Sequence, residues 1–86
     1  MEILFSEKAK KEFLQLEKSL QIQFKKAIEK VQENPLRRHL KYGIPSHTVN
    51  VGKQSRLVYN LVEDRVVILH CFQSHTDYEK WFKSYR

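Results

Sequence analysis

The chain has 86 residues, 41% of them hydrophobic and 30% charged, with only two Gly and two Pro. That mix fits one globular domain and excludes disordered or fibrous classes. Sixteen Lys and Arg against ten Asp and Glu leave a net charge of +6, a surplus that suits a polyanionic partner such as nucleic acid, the ribosome or an acidic protein.

No apolar stretch approaches the roughly 20 residues of a membrane span. The N-terminus, Met-Glu-Ile-Leu-Phe, is too soon charged for a signal peptide. The single cysteine, Cys71, lies in an apolar run. A buried, reduced thiol and a reducing compartment are expected. The expected location is the cytoplasm, with no part in a membrane.

Ile3 to Phe5 is a short apolar run that can start a strand. Ser6 before Glu7 is placed to cap a helix. Ala9, Phe13, Leu16 and Leu20 then recur near the helical period, with lysines and glutamates between them. Ser19 is the expected cap of a second helix carrying Phe24, Ala27, Ile28 and Val31, and Asn34-Pro35 ends it. The pair forms a helix hairpin with almost no loop; a single long helix across Ser19 is the alternative. Residues 36–45 read as a basic connector. After Pro45 the period changes to two. Thr48–Val51 places Val49 and Val51 on one face, and Gly52-Lys53-Gln54 is a turn. Arg56–Val62 divides Leu57, Tyr59 and Leu61 from Arg56, Val58 and Asn60. Glu63-Asp64 is a second turn, and Val66–Phe72 is nearly all apolar, as a strand buried on both faces should be. His70 is expected to share a face with Val66, Ile68 and Phe72, and Arg56's side in a favourable register; a hydrogen-bonded core histidine is the favoured reading over a site residue. Thr76 to Tyr85 can close the chain as a helix with Tyr78, Trp81 and Phe82 on one side. The expected class is α+β, ordered β-α-α-β-β-β-α, with a helix hairpin on a small antiparallel sheet.

The run Leu40-Lys41, Val49-Asn50-Val51-Gly52-Lys53-Gln54-Ser55-Arg56-Leu57-Val58-Tyr59 resembles the RelE/ParE superfamily of type II toxin–antitoxin toxins. Members of that family carry a similar strand, a glycine turn, and a strand beginning Tyr-Arg-Leu/Val-x-Tyr. Ser55 stands here where the family usually has Tyr. The apolar strand followed by His75-Thr76-Asp77-Tyr78 is a second similarity. The resemblance spans nearly the whole chain and implies one toxin domain over 1–86. Its RelE branch implies a ribosome-dependent, metal-independent mRNA endonuclease that inhibits translation. Its ParE branch implies a non-enzymatic inhibitor of DNA gyrase, and a degenerate member would only bind antitoxin or RNA. Fold does not choose among them. In every case the resemblance implies an antitoxin from a neighbouring gene, often acidic.

RNA cleavage without a metal needs a base for the 2′-hydroxyl proton, a cation for the phosphate, and an acid for the leaving 5′-oxygen. Histidine serves either end because it titrates near neutrality, and arginine meets two phosphate oxygens at once. Arg56 alternates away from Leu57, Tyr59 and Leu61, and its position matches the family's catalytic arginine. A surface pairing with Glu63 or Asp77 is its bland alternative. His75 and Tyr78 lie three apart, on one side of a helical turn. Lys53 in the turn and His47 at the first meander strand complete the candidate set; Tyr78 could equally be core, and Lys53 merely solvated. Lys8, Lys11, Lys18, Lys25 and Lys26 on the helices, with Arg37, Arg38 and Lys41 in the connector, are candidate contacts to RNA phosphates or the ribosome. Lys10 and Lys30 share that basic character. No cofactor motif is present, and adjacent strand positions keep His70 and Cys71 from binding one metal ion.

Overall fold

The computed structural model describes residues 2–33 and 47–84. Its elements are β1 (Glu2–Phe5), α1 (Glu7–Leu14), α2 (Lys18–Glu33), β2 (His47–Val51), β3 (Ser55–Val62), β4 (Arg65–Phe72) and α3 (His75–Lys83). The expected order is therefore observed. The Asn34-Pro35 helix end, the connector over 36–45, and Arg37, Arg38, His39 and Lys41 lie outside the described residues.

Strands β2, β3 and β4 form the expected antiparallel meander. The sheet order is β1-β4-β3-β2. Strand β1 returns parallel to β4, with Glu2 opposite Arg65 and Phe5 opposite Ile68. Flanked on both sides, β4 is a central strand, which accounts for its apolar sequence. No described helix is long and apolar enough to cross a membrane.

Ser6 caps α1 as its position implies: its hydroxyl accepts from the Ala9 N–H at 3.0 Å. The hairpin is real, and the single long helix is not formed. Leu16, 7% exposed, turns into the core between α1 and α2, and the Phe13 carbonyl at the end of α1 accepts both the Leu16 N–H and the Gln21 side-chain amide. Ser19 is not the cap. Helix α2 already begins at Lys18, with the Gln21 N–H bonding the Glu17 carbonyl at 2.9 Å. Glu17 therefore stands at the cap position. Gly52 turns β2 into β3 with φ of 64°, a left-handed conformation that suits glycine.

The sheet has a core on each face. Ala9, Leu16, Phe24, Ile28 and Val31 of the hairpin pack on Val51, Leu57, Tyr59, Val66, Ile68 and Cys71. On the other face Val58 and Phe72 pack with Tyr78, joined by Leu69, Trp81 and Phe82. Leu57 and Tyr59 fall on the hairpin side and Val58 on the α3 side, as alternation requires.

A bulge decides the faces of β4. Val58 pairs with His70 but Tyr59 pairs with Ile68, so Leu69 is the extra residue. Parity changes at that point. Val66 and Ile68 face the hairpin, and so does Cys71. His70 therefore does not share a face with Val66 and Ile68. It stacks on Phe72 at 4.7 Å and tilts against Trp81 at 5.1 Å, on the α3 side. Strand β4 also runs past the end of β1, and side chains take up its edge groups. Ser6 Oγ donates to the Leu69 carbonyl at 3.1 Å. The Cys71 N–H donates to Glu12 Oε1 at 2.9 Å, and Glu12 Oε2 lies 3.3 Å from His70 Nδ1.

Burial pushes the Cys71 thiol up to about 12, and the nearby Glu12 carboxylate adds to the rise. Because this lies above the ordinary 9.0, the thiol's contribution to stability is full below pH 9 and is lost as pH climbs through about 12. At pH 8 the thiolate population is about 1000-fold lower than in the unfolded chain. Native Cys71 should accordingly react with iodoacetamide at least 100-fold more slowly than the same chain in denaturant; rates within tenfold of each other would contradict this burial.

Candidate functional site

Alternation along β3 turns Arg56 to the α3 side, across from Phe72 on β4. Its guanidinium is anchored at one end and reaches towards His75 with the other. Nη1 donates to the Ser55 carbonyl at 2.8 Å, and Nη2 points to His75 Nδ1 at 3.5 Å. Neither Glu63 nor Asp77 pairs with it among the described residues, so the surface-pair alternative does not describe Arg56.

His75 is the first residue of α3. Ser74 caps that helix, its hydroxyl accepting the Asp77 N–H at 3.1 Å. His75 Nε2 lies 3.3 Å from Glu79 Oε1, one helical turn on. Arginine only donates, so the contact at Nδ1 requires an acceptor there. Nε2 then carries the proton and donates it to Glu79. In that tautomer the unprotonated nitrogen faces the guanidinium. A Glu79–His75–Arg56 chain results, half-exposed along its length: the His75 and Glu79 side chains are 51% and 39% exposed. A phosphate held by Arg56 would sit beside the basic nitrogen of His75.

The other expected site residues scatter. Tyr78 is on the right face and helix but is only 6% exposed. Its ring is packed among Phe72, Trp81 and Phe82, and its hydroxyl donates to Thr48 Oγ1 at 3.3 Å. A ring so enclosed cannot stack on an RNA base, so Tyr78 is a core residue here. His47 is on the wrong face. It stands opposite Tyr59 and stacks on it at 5.2 Å, and Tyr59 belongs to the hairpin core. Arg56 is on the opposite face of the sheet, so His47 does not join it. Lys53 is exposed in the β2–β3 turn, three residues before Arg56. Lys8 and Lys11 on α1, and Lys18, Lys25 and Lys26 on α2, are all exposed. Those of α2 sit on the helix layer, across the sheet from Arg56 and His75, whereas Lys8 lines a groove that α1 shares with Phe72, Asp77 and Trp81 on the α3 side. The positive charge is thus divided between a broad helix face and a small sheet site.

Glu79 and Ser55 were not expected at the site. The i,i+4 spacing of His75 and Glu79 was a readable signal for the first. Ser55 was marked in the sequence only as a departure from the usual Tyr; its hydroxyl donates to the Gln73 carbonyl at 2.8 Å. Among the described residues no cluster of three or more His, Cys, Asp or Glu side chains is placed to hold a metal ion.

No family model matches the chain, and no curated protein matches its sequence. Solved structures do match. The isolated RelE toxin of E. coli superposes with a TM-score of 0.75 at 23% identity, covering 99% of this chain and 98% of that one. The chain has the RelE-like fold. RelE in the E. coli RelBE toxin–antitoxin complex matches with a TM-score of 0.73, also at 23% identity, over 85% of this chain and 95% of that one. The YoeB dimer of Staphylococcus aureus matches with a TM-score of 0.70 at 18% identity, over 84% and 94%. The expected α+β class and the likeness to RelE/ParE-type toxin structures are therefore observed in three dimensions.

The assigned tautomer is testable without a substrate. Nitrogen-15 spectra of the histidine rings at pH 8 should show His75 protonated at Nε2. Glu79→Ala should shift part of that population to the Nδ1–H form. An even mixture in the parent, unmoved by the substitution, would remove Glu79 from the site.

Proposed function

We propose that this chain is the toxin of a type II toxin–antitoxin pair and cleaves messenger RNA on the ribosome, in the cytoplasm. The observation that carries this reading is the Glu79–His75–Arg56 chain on the α3 side of the sheet. It supplies two of the three elements that RNA cleavage needs. Arg56 binds the scissile phosphate and offsets the charge that grows on it in the transition state. His75 Nδ1, unprotonated and next to that phosphate, takes the proton of the 2′-hydroxyl. The 2′-oxygen attacks phosphorus, the bond to the 5′-oxygen breaks, and the 5′-oxygen leaves with a proton from water. The imidazolium on His75 is stabilised by Glu79, as a carboxylate stabilises the histidine of a catalytic triad, and returns its proton to solvent. The products are a 2′,3′-cyclic phosphate and a 5′-hydroxyl. The likeness to RelE and YoeB structures supports the same reading, as does the exposed lysine face of α1 and α2, which suits ribosomal RNA.

The gyrase-inhibitor reading shares the fold but has no use for an imidazole poised beside an arginine. Expression in cells separates the two. Early arrest of pulse-labelled translation with intact supercoiling fits the nuclease; DNA damage with continuing translation fits the gyrase inhibitor. Arg56→Ala should keep the fold and lower cleavage by on the order of 10²–10³-fold. A variant that cuts mRNA and halts growth as well as the parent would sink the proposed site.

An antitoxin is the expected partner. The RelBE structure among those matched is such a complex. Here an apolar groove of about 680 Å³ opens between β1 and the hairpin, lined by Ile3, Leu4, Phe5, Phe13, Leu14 and Ile28, with Lys10 and Lys25 outnumbering Glu29 among its charged residues. Leu14 is 68% exposed. An acidic segment with apolar anchors fits that surface. Leu14→Asp should weaken capture of the neighbouring gene product by at least tenfold while toxicity persists. Unchanged capture would move the antitoxin elsewhere.

A further inference from the structure

Ser55 is the residue at which this chain departs from the Tyr usual in the family it resembles, and the fold gives it a specific job. It is 4% exposed, at the first position of β3. Its backbone carbonyl accepts from Arg56 Nη1 at 2.8 Å, and its hydroxyl donates to the Gln73 carbonyl at 2.8 Å. Gln73 follows the end of β4, and only Ser74 separates it from His75. One buried residue thus holds the guanidinium from one side and the segment that launches His75 from the other. We infer that Ser55 is a positioning residue that sets the separation of Arg56 from His75.

The physical case rests on what else holds those two groups. The register of β3 against β4 ends with Arg56 opposite Phe72. Beyond that pair no ladder bond reaches Gln73, so the two-residue link to α3 has no strand partner. The Ser55 hydroxyl supplies the missing tie. Its short side chain lets a hydroxyl meet a carbonyl across neighbouring strands; a tyrosine would carry its hydroxyl several ångströms past that carbonyl. The direct contact between Arg56 and His75 is long, at 3.5 Å, and cannot by itself define their spacing. Their spacing is inherited from Ser55 below Arg56 and from the Ser74 cap below His75.

This inference rests on the nuclease reading for its activity readout but not for its structural one. Three variants test it: Ser55→Ala removes the hydroxyl, Ser55→Thr retains it, and Ser55→Cys keeps the volume with a weak donor. Single-turnover cleavage on programmed ribosomes and nitrogen-15 signals of the His75 ring are measured for each. Ser55→Ala should slow cleavage by about 10- to 100-fold, the scale of a misplacement near 1 Å, with half-saturation within twofold of the parent. The His75 ring signals should shift with it. Ser55→Thr should restore both, and Ser55→Cys should fall between. The proposal is overturned if the His75 signals of Ser55→Ala match the parent, or if Ser55→Thr behaves like Ser55→Ala, since the hydroxyl would then not be the cause. Loss of the nuclease reading shows separately, as an Arg56→Ala variant that still cuts, while the ring signals continue to report on Ser55.

Discussion

The bulge at Leu69 is the constraint on which the rest of this molecule depends. A strand has a period of two, and one extra residue exchanges its faces from that point on. Below the bulge, Val66 and Ile68 serve the hairpin core. Above it, Cys71 serves that core while His70 and Phe72 turn to α3. Were the same sequence paired with no bulge, Phe72 would share the face of Val66 and Ile68 and point at the hairpin, and α3 would lose its main contact with the sheet. The strand would also leave for α3 in the opposite phase, carrying His75 away from Arg56.

The same region shows how a short edge strand is made tolerable. Strand β1 ends at Phe5, opposite Ile68, while β4 continues for four more residues. The backbone groups left on that edge would be costly if buried without partners. They are taken up by Ser6 on the Leu69 carbonyl and Glu12 on the Cys71 N–H. Ser6 also caps α1, so one hydroxyl ends the strand gap and begins the helix. Glu12 has a second consequence. Burial chiefly disfavours the Cys71 thiolate and the Glu12 carboxylate adds to it, so Cys71 is a packing residue and not a reactive one.

The two faces of the sheet divide the work. The hairpin face builds the larger core and turns a lysine-rich surface outward. The α3 face builds a smaller, aromatic core around Val58, Phe72 and Tyr78, and at its margin leaves Arg56 and His75 half-exposed. A rigid aromatic base under an exposed cation and imidazole is a sound arrangement for chemistry on a phosphate, because the reacting groups are held by packing they do not themselves supply. Tyr78 belongs to that base. Its enclosed ring and its bond to Thr48 brace α3 against the β2–β3 ribbon.

The sequence by itself determined the elements, their order, and which apolar stripes would be buried, because periods of 3.6 and 2 are local properties. The Ser6 cap, the Gly52 turn, and the placing of Arg56 opposite Leu57 and Tyr59 were legible for the same reason. Ser19 misled because a serine signals a cap without stating which of several adjacent positions starts the helix. Only the tertiary structure decided the rest. The parallel return of β1 to β4 and the bulge at Leu69 are matters of pairing between distant segments, and no local period records them. His70 was assigned to a face by counting, and the counting failed where the extra residue intervened, whereas for His47 the count of two from Val49 and Val51 already gave the hairpin face. His75 joined Arg56 through a contact nineteen positions apart, and Ser55, which passed for a mere departure from pattern, gained its meaning from a carbonyl eighteen positions away.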